Sequence, residues 1–344
     1  MIELRSDTFT KPTQEMLNAI LNTRLGDDVY HEDPTVKELE YLVAEVMGME
    51  AAILMPSGTM ANLASIMSHC PRGSKVLVGD ETDIFIYEAG GASVCGGIMY
   101  ESIPTQEDGQ ILIEDLVRAF PDDPTDAQFS LPSLICIENP HNRMGGRVLP
   151  LSYLKEVRLF AREKEVPVHM DGARIFNAAI TMGIPVKEIA KYADSLQFCL
   201  SKGLSAPIGS MVVGKKDFIQ KVYRIRKMLG GGMRQAGIIA APGIIALKQM
   251  INRLEDDHVH ARQLAEGLAK INGIECVKES VETNIVFFQI KDKRYTSKHF
   301  IKELHKRGVN IAELGTDRIR AVTHSGITTQ DINHTLAIIE EMMI

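Results

Sequence analysis

Apolar residues recur along this chain with two periods, and the alternation between them outlines the fold. After Asp33-Pro34, the residues Val36, Leu39, Leu42, Val43 and Val46 fall on one helical face, and Gly48 ends the run. Asp33 can cap that helix, and Pro34 suits its first position. A second helix is expected to start near Gly58 and to carry Met60, Leu63, Ile66 and Met67 on its apolar side. Beyond it, short apolar runs read as strands: Val76-Leu77-Val78, Leu134–Ile137, Val166–Met170, Leu196–Leu200 and Ser210–Val213. Amphipathic stretches, Leu151–Lys164 and Pro185–Tyr192 among them, separate these runs. Strands divided by helices imply βαβ units and a mostly parallel sheet. From about Ile251 a second α/β alternation follows: a charged helix (Arg253–Ile271), a strand (Asn284–Ile290), a helix (Ser297–Arg307), a strand (Arg318–Val322) and a final helix (Thr329–Met343). The expected organisation is a large domain over residues 1–250 and a small C-terminal α+β domain over residues 251–344.

Composition narrows what such a chain does. Apolar residues make up 45% and charged residues 24%, which excludes a disordered or collagenous chain. The net charge is −7, the wrong sign for a non-specific nucleic-acid binder. No apolar run approaches the roughly 20 residues a membrane helix needs. The start, MIELRSDTFTK, carries Glu3, Arg5 and Asp7 where a signal peptide would be apolar, which points to a cytoplasmic protein. The five cysteines are widely spaced, with no C-x-x-C pair and no zinc-like His/Cys cluster, so reduced thiols and no metal site are expected.

In a parallel sheet the ligand sits at the carboxyl ends of the strands, so residues just after strands carry the chemistry. Val168-His169-Met170 runs into Asp171, and Phe198-Cys199-Leu200-Ser201 runs into Lys202, one βαβ unit later. A lysine amine and a carboxylate at the same sheet end suit pyridoxal 5'-phosphate. The amine forms a Schiff base, and the carboxylate keeps the pyridine nitrogen protonated so that the ring draws electrons. Pro56-Ser57-Gly58-Thr59 at a helix start offers backbone N–H groups, a hydroxyl and the positive end of a helix dipole to the phosphate.

Seven stretches make the pattern specific: LRSDT (Leu4–Thr8), GDDVYHEDPT (Gly26–Thr35), PSGTMAN (Pro56–Asn62), HMDGARIFNA (His169–Ala178), CLSKGLSAPIGS (Cys199–Ser210), RKMLGGGMRQAGIIAA (Arg226–Ala241) and IRAVTH (Ile319–His324). With them the chain resembles, over nearly its whole length, the low-specificity L-threonine aldolases among the fold-type I pyridoxal-phosphate enzymes. The resemblance implies a three-layer, transferase-like large domain and a homotetramer built as a dimer of dimers. It implies retro-aldol cleavage of L-threonine or L-allo-threonine to glycine and acetaldehyde. Residue by residue, Lys202 corresponds to the Schiff-base lysine and Asp171 to the partner of the pyridine nitrogen. Ser57, Gly58 and Thr59 correspond to the phosphate cup. Arg174 would bind the substrate carboxylate or pair near the cofactor ring, and Arg320 would be the second carboxylate anchor, with Ser6 helping to hold the substrate; a planar guanidinium fork suits that group. Arg234 would contact the phosphate or a neighbouring subunit.

Some positions depart from the family pattern. Asp83 stands where a histidine normally stacks on the cofactor, Gln128 where a second histidine is usual, and Leu131 where that segment carries arginine. These departures leave open a sister reaction: racemisation, β-elimination, or aldol cleavage of a bulkier β-hydroxy amino acid. A cofactor-binding protein without turnover is a further alternative. His31 replaces a usual glycine; it is either an exposed loop residue or an imidazole that enters a site, its own or a neighbour's. His141, in ENPHN, either orients a loop or takes part in the chemistry.

Overall fold

The computed structural model describes residues 1–315 and 317–344. A two-residue strand, β1 (Ile2–Glu3), opens the chain, and a seven-stranded sheet forms its centre. That sheet contains β2 (Ala51–Met55), β3 (Lys75–Gly79), β4 (Met99–Ile103), β5 (Pro132–Glu138), β6 (Val168–Asp171), β7 (Ser195–Cys199) and β8 (Ser210–Gly214). Their order is β2-β8-β7-β6-β5-β3-β4. Only β8 runs against its neighbours; the other pairs are parallel, so β2 to β7 all point the same way. Every residue of β6, β7 and β8 is buried, as expected when helices cover both faces of a sheet.

The first predicted helix spans Pro34–Met47. Asp33 accepts hydrogen bonds from the N–H groups of Thr35 and Val36, and Gly48 closes the helix at φ 64°, a conformation open to glycine. The second spans Gly58–His69, with the Ser57 hydroxyl accepting the Met60 N–H. The strand expected from Val166 begins two residues later. Val166 N–H still bonds Ala161 at the end of the preceding helix, and Pro167 has no N–H to give. Strands β2 and β4, and helices Gln14–Leu21, Lys216–Met228 and Gly237–Ile245, were not expected.

The C-terminal strands β9 (Ile274–Glu275), β10 (Ile285–Ile290), β11 (Val309–Asn310), β12 (Ala312–Glu313) and β13 (Ile319–Val322) complete the set. Four of them form an antiparallel sheet ordered β12-β13-β10-β9. The remaining one, β11, pairs in parallel with β1. Leu4 is fully buried among Val286, Phe300 and Ile319 of this second core. The first residues, placed with residues 1–250 in the expected division, pair here with a C-terminal strand and bury Leu4 in the second core, while Asp7 and Thr10 reach Arg174 and Lys202.

One edge of the large sheet is closed by side chains. On the outermost strand β2, the Leu54 N–H donates to Glu40 Oε1 at 3.0 Å, and its carbonyl accepts from Arg226 Nη1 at 2.6 Å. Arg226 is itself buried and paired with Asp28 at 2.8 Å. Among the described residues no helix is long and apolar enough to cross a membrane.

Candidate active site

Because β2 to β7 run the same way, the residues that follow them gather at one end of the sheet. Ser57, Gly58 and Thr59 follow β2, Asp83 follows β3, Asp171 ends β6 and Lys202 follows β7. All six line one cavity of about 370 Å³, together with Asn62, Tyr87, Glu88, Gln197 and Cys199. Pro207–Gly209, leading into the reversed strand β8, lines it as well.

Lys202 Nζ has no hydrogen-bond or ion-pair partner among the described residues, while its carbonyl is held by the Thr10 hydroxyl at 2.9 Å. Burial acts to lower its pKa, but Cys199, Asp7 and Asp83 outweigh burial and the opposing charge of Arg174, leaving it raised. Asp171 is buried and surrounded by donors: Gln197 Nε2 at 2.5 Å and Ala173 N at 3.0 Å on Oδ1, and Asn62 Nδ2 at 2.8 Å on Oδ2. Desolvation raises its pKa, with Asp83 adding to the rise; Lys202, Asn62 and the Ala173 N–H act against it. Asn62 Nδ2 also donates to Glu88 Oε1 at 2.8 Å, so one amide bridges two carboxyl groups. Burial, reinforced by Asp171, pushes the Glu88 carboxyl well above the usual carboxylate range.

The helix start is an anion cup. The Gly58 and Thr59 N–H groups have no intrahelical partner, and the helix dipole places partial positive charge there. Gly58 permits close approach: a Cβ there would lie 3.0 Å from Cys199 Sγ and 3.6 Å from Gln197 Oε1. An unpaired ammonium, an anion cup and a buried carboxylate within one cavity are the donor set pyridoxal phosphate requires, so the residues fit that group.

Asp83 accepts from Asn142 Nδ2 at 3.0 and 3.2 Å. Beneath them, Glu138 accepts the Asp83 N–H at 2.7 Å and the Asn142 N–H at 2.8 Å. Asn142 Oδ1 takes a bond from Arg320 Nη1 at 2.9 Å, and Arg320 Nη2 donates to the Arg5 carbonyl at 3.1 Å. Arg320 has no carboxylate partner among the described residues. Burial lowers its pKa, with Arg174 adding to the effect.

The remaining predicted residues are placed as follows. Arg174 does not offer a free fork. Its Nε and Nη2 bind Asp7 at 2.7 and 2.8 Å in a buried bidentate pair, leaving Nη1. Ser6 lies outside the cavity lining, its hydroxyl accepting the Thr8 N–H at 3.2 Å. Arg234 is exposed and ion-paired with Asp27 at 2.9 Å, outside this chain's cavity. His31 also lies outside it: at φ 55° it caps the Asp28–Tyr30 turn and stacks on Tyr223 at 4.4 Å. Gln128 is exposed and bonded to Asp126. His141 is buried, and burial lowers its pKa to about 4.

Sequence reasoning missed Asn62, Glu88, Gln197 and Asn142. For Asn62 a signal existed: it lies four residues after Gly58, one helical turn along the same face.

The sequence model of the beta-eliminating lyase family matches residues 3–292. A low-specificity L-threonine aldolase of Arabidopsis thaliana is 43% identical over 345 residues, covering 100% of this chain and 96% of the relative. The low specificity L-threonine aldolase of Escherichia coli K12 is 41% identical, covering 98% of each chain. The solved threonine aldolase of Leishmania major superposes with a TM-score of 0.85 at 16% identity, over the full length of both chains, a likeness of fold.

Proposed function

The chain belongs to the beta-eliminating lyase family, among the low-specificity threonine aldolases, and we propose that it cleaves L-threonine and L-allo-threonine to glycine and acetaldehyde. The observation that carries this reading is the unpartnered Lys202 ammonium sharing a cavity with Asp171 and the Ser57-Gly58-Thr59 cup. When bound there, pyridoxal phosphate supplies an aldehyde for the Lys202 amine and a ring that draws electrons from the bond to be broken. The cup residues hold its phosphate through N–H groups and hydroxyls, and Asp171 holds a proton at the ring nitrogen. Lys202 gives way to the substrate amine. Arg320, already oriented by Asn142, anchors the substrate carboxylate. The Asp83 carboxylate, aimed by the same Asn142, accepts the proton of the substrate's β-hydroxyl. Anchoring the carboxylate selects which bond at Cα is aligned for cleavage.

Oligomeric state, localisation and domain division belong to the same proposal: a cytoplasmic homotetramer, each chain divided near residue 250. Exposed Tyr87 and Ile208, which line the cavity, and the exposed Phe85 and Ile86 that precede Tyr87 in the chain support burial of this face against another copy. Arg234 and His31 would then serve a neighbouring chain's site.

The test is direct. Purified chain loaded with pyridoxal phosphate is given L-threonine and L-allo-threonine, and glycine and acetaldehyde are quantified. Equal amounts of both products, lost in Lys202→Ala, are expected. Absence of acetaldehyde from either substrate, or full turnover by Lys202→Ala, would overturn the reading.

A further inference from the structure

Behind Asp171 runs a line of buried and half-buried polar groups that the proposed reaction does not use. The line starts at His69, the last residue of helix Gly58–His69, whose ring stacks on Phe218 at 4.4 Å. His69 Nε2 meets Ser195 Oγ at 2.8 Å. The same hydroxyl meets His169 Nδ1 at 2.8 Å, and His169 Nε2 meets Asn62 Oδ1 at 3.0 Å. Asn62 and His69 lie about two turns apart on one helical face. His169 and Ser195 are register partners on β6 and β7. One helix face packed on two adjacent strands thus assembles all four.

A carboxylate at Asp171 sets the direction of the protons along this line. Asn62 Nδ2 faces the carboxyl groups of Asp171 and Glu88; turned over, the amide would aim its oxygen at a carboxylate oxygen of Asp171. Its Oδ1 therefore accepts from His169 Nε2. Burial keeps His169 neutral, its pKa lowered to about 3, so Nδ1 is a lone pair and accepts the Ser195 O–H. The Ser195 oxygen then accepts from His69, which burial also keeps neutral, at about 4. Each donor points toward Asp171. The amide of Asn62 is no carrier of protons, so the line polarises rather than conducts. Aligned dipoles in a dry interior reinforce one another and favour negative charge at their head.

We propose that His69, Ser195, His169 and Asn62 are positioning residues, a one-way array of donors that holds Asp171 in place as a carboxylate for the cofactor's ring nitrogen. The proposal rests on the reading of Asp171 given above.

Ser195→Ala, His169→Phe and Asn62→Leu interrupt the array progressively closer to Asp171. Each protein is loaded with pyridoxal phosphate carrying 15N in the ring, and the ring-nitrogen resonance, the dissociation constant and the melting temperature are measured. The dissociation constant is expected to rise by about 3-fold, 10-fold and 100-fold in that order, as charge-assisted support is lost nearer the carboxylate. The resonance is expected to move from the pyridinium toward the neutral pyridine position in the same order. His169→Gln keeps an N–H within reach of Asn62 and is expected to restore the resonance; with Ser195→Ala it carries the test if His169→Phe does not fold. An unmoved resonance in variants that merely melt earlier overturns the array, as does a Ser195→Ala effect equal to that of Asn62→Leu. A parent chain that takes up no pyridoxal phosphate overturns instead the reading of the site.

Discussion

Replacing Asp7 with asparagine isolates the energetic weight of one buried charge pair. Asp7 is fully buried and faces Arg174 through two bonds, 2.7 and 2.8 Å long. Asn284 Nδ2 adds a third donor at 3.2 Å, tying the N-terminal segment to the C-terminal core. Asp7→Asn keeps the shape but leaves the Arg174 guanidinium without its counter-charge. Breaking a buried pair from one side costs about 3–5 kcal/mol. At roughly 1.4 °C per kcal/mol for a chain of this length, the apparent melting temperature is expected to fall by about 4–7 °C. Arg174→Met strands the opposite charge and is expected to be similarly damaging. The double variant has neither charge and is expected to melt above both single variants. The Arg174 guanidinium holds Asp7 well below the usual carboxylate range, overcoming the opposing effect of burial. The pair's contribution is therefore complete above the unfolded value near 4 and lost as pH falls toward the depressed folded value. Scanning calorimetry from pH 3 to 8 reads both effects. An Asp7→Asn protein melting within about 2 °C of the parent, on the scale just given, would refute the reasoning. So would strictly additive losses in the double variant.

Arg320→Lys keeps the charge but loses the planar fork; KM for L-threonine is expected to rise about 10- to 100-fold with a smaller change in kcat, and steady-state kinetics reads the split. Burial raises the Glu40 pKa to about 7, outweighing the Leu54 N–H it accepts, so folded protein holds a proton that unfolded protein releases near 4.5. Its contribution is therefore present at low pH and declines between pH 4.5 and 7. Glu40→Gln is expected to flatten that decline, a difference of about 3 kcal/mol at pH 8, visible as a higher melting temperature than the parent there.

What the sequence disclosed follows the range of the interactions involved. The helix after Asp33-Pro34 is legible because its cap, its first-turn proline and its closing glycine are local. The strand ends at Asp171 and Lys202 are legible because apolar runs stop abruptly at charged residues. Strand β2, Ala-Ala-Ile-Leu-Met, follows its helix after only Gly48-Met49-Glu50, too short a break to separate two apolar elements. Strand β4, Met-Tyr-Glu-Ser-Ile, is largely polar and sits at a sheet edge. The site shows the same division. Lys202 and Asp171 announce themselves by position, whereas the capture of Arg174 by Asp7 joins residues 167 positions apart, and no local pattern encodes it. Arg234 and His31 lie on the surface of a single chain, and their sequence neighbourhood does not say which molecule they face.

The closure of Leu54 by Glu40 and Arg226 bears on how copies of this chain can meet. A bare outer strand invites another strand to dock by main-chain pairing, which leads to open-ended growth. Here the docking groups at Leu54 are already spent within the chain. At Leu54, copies joining at this flank find no main-chain groups to pair with, and contacts made through side-chain shape and charge favour closed assemblies over fibres.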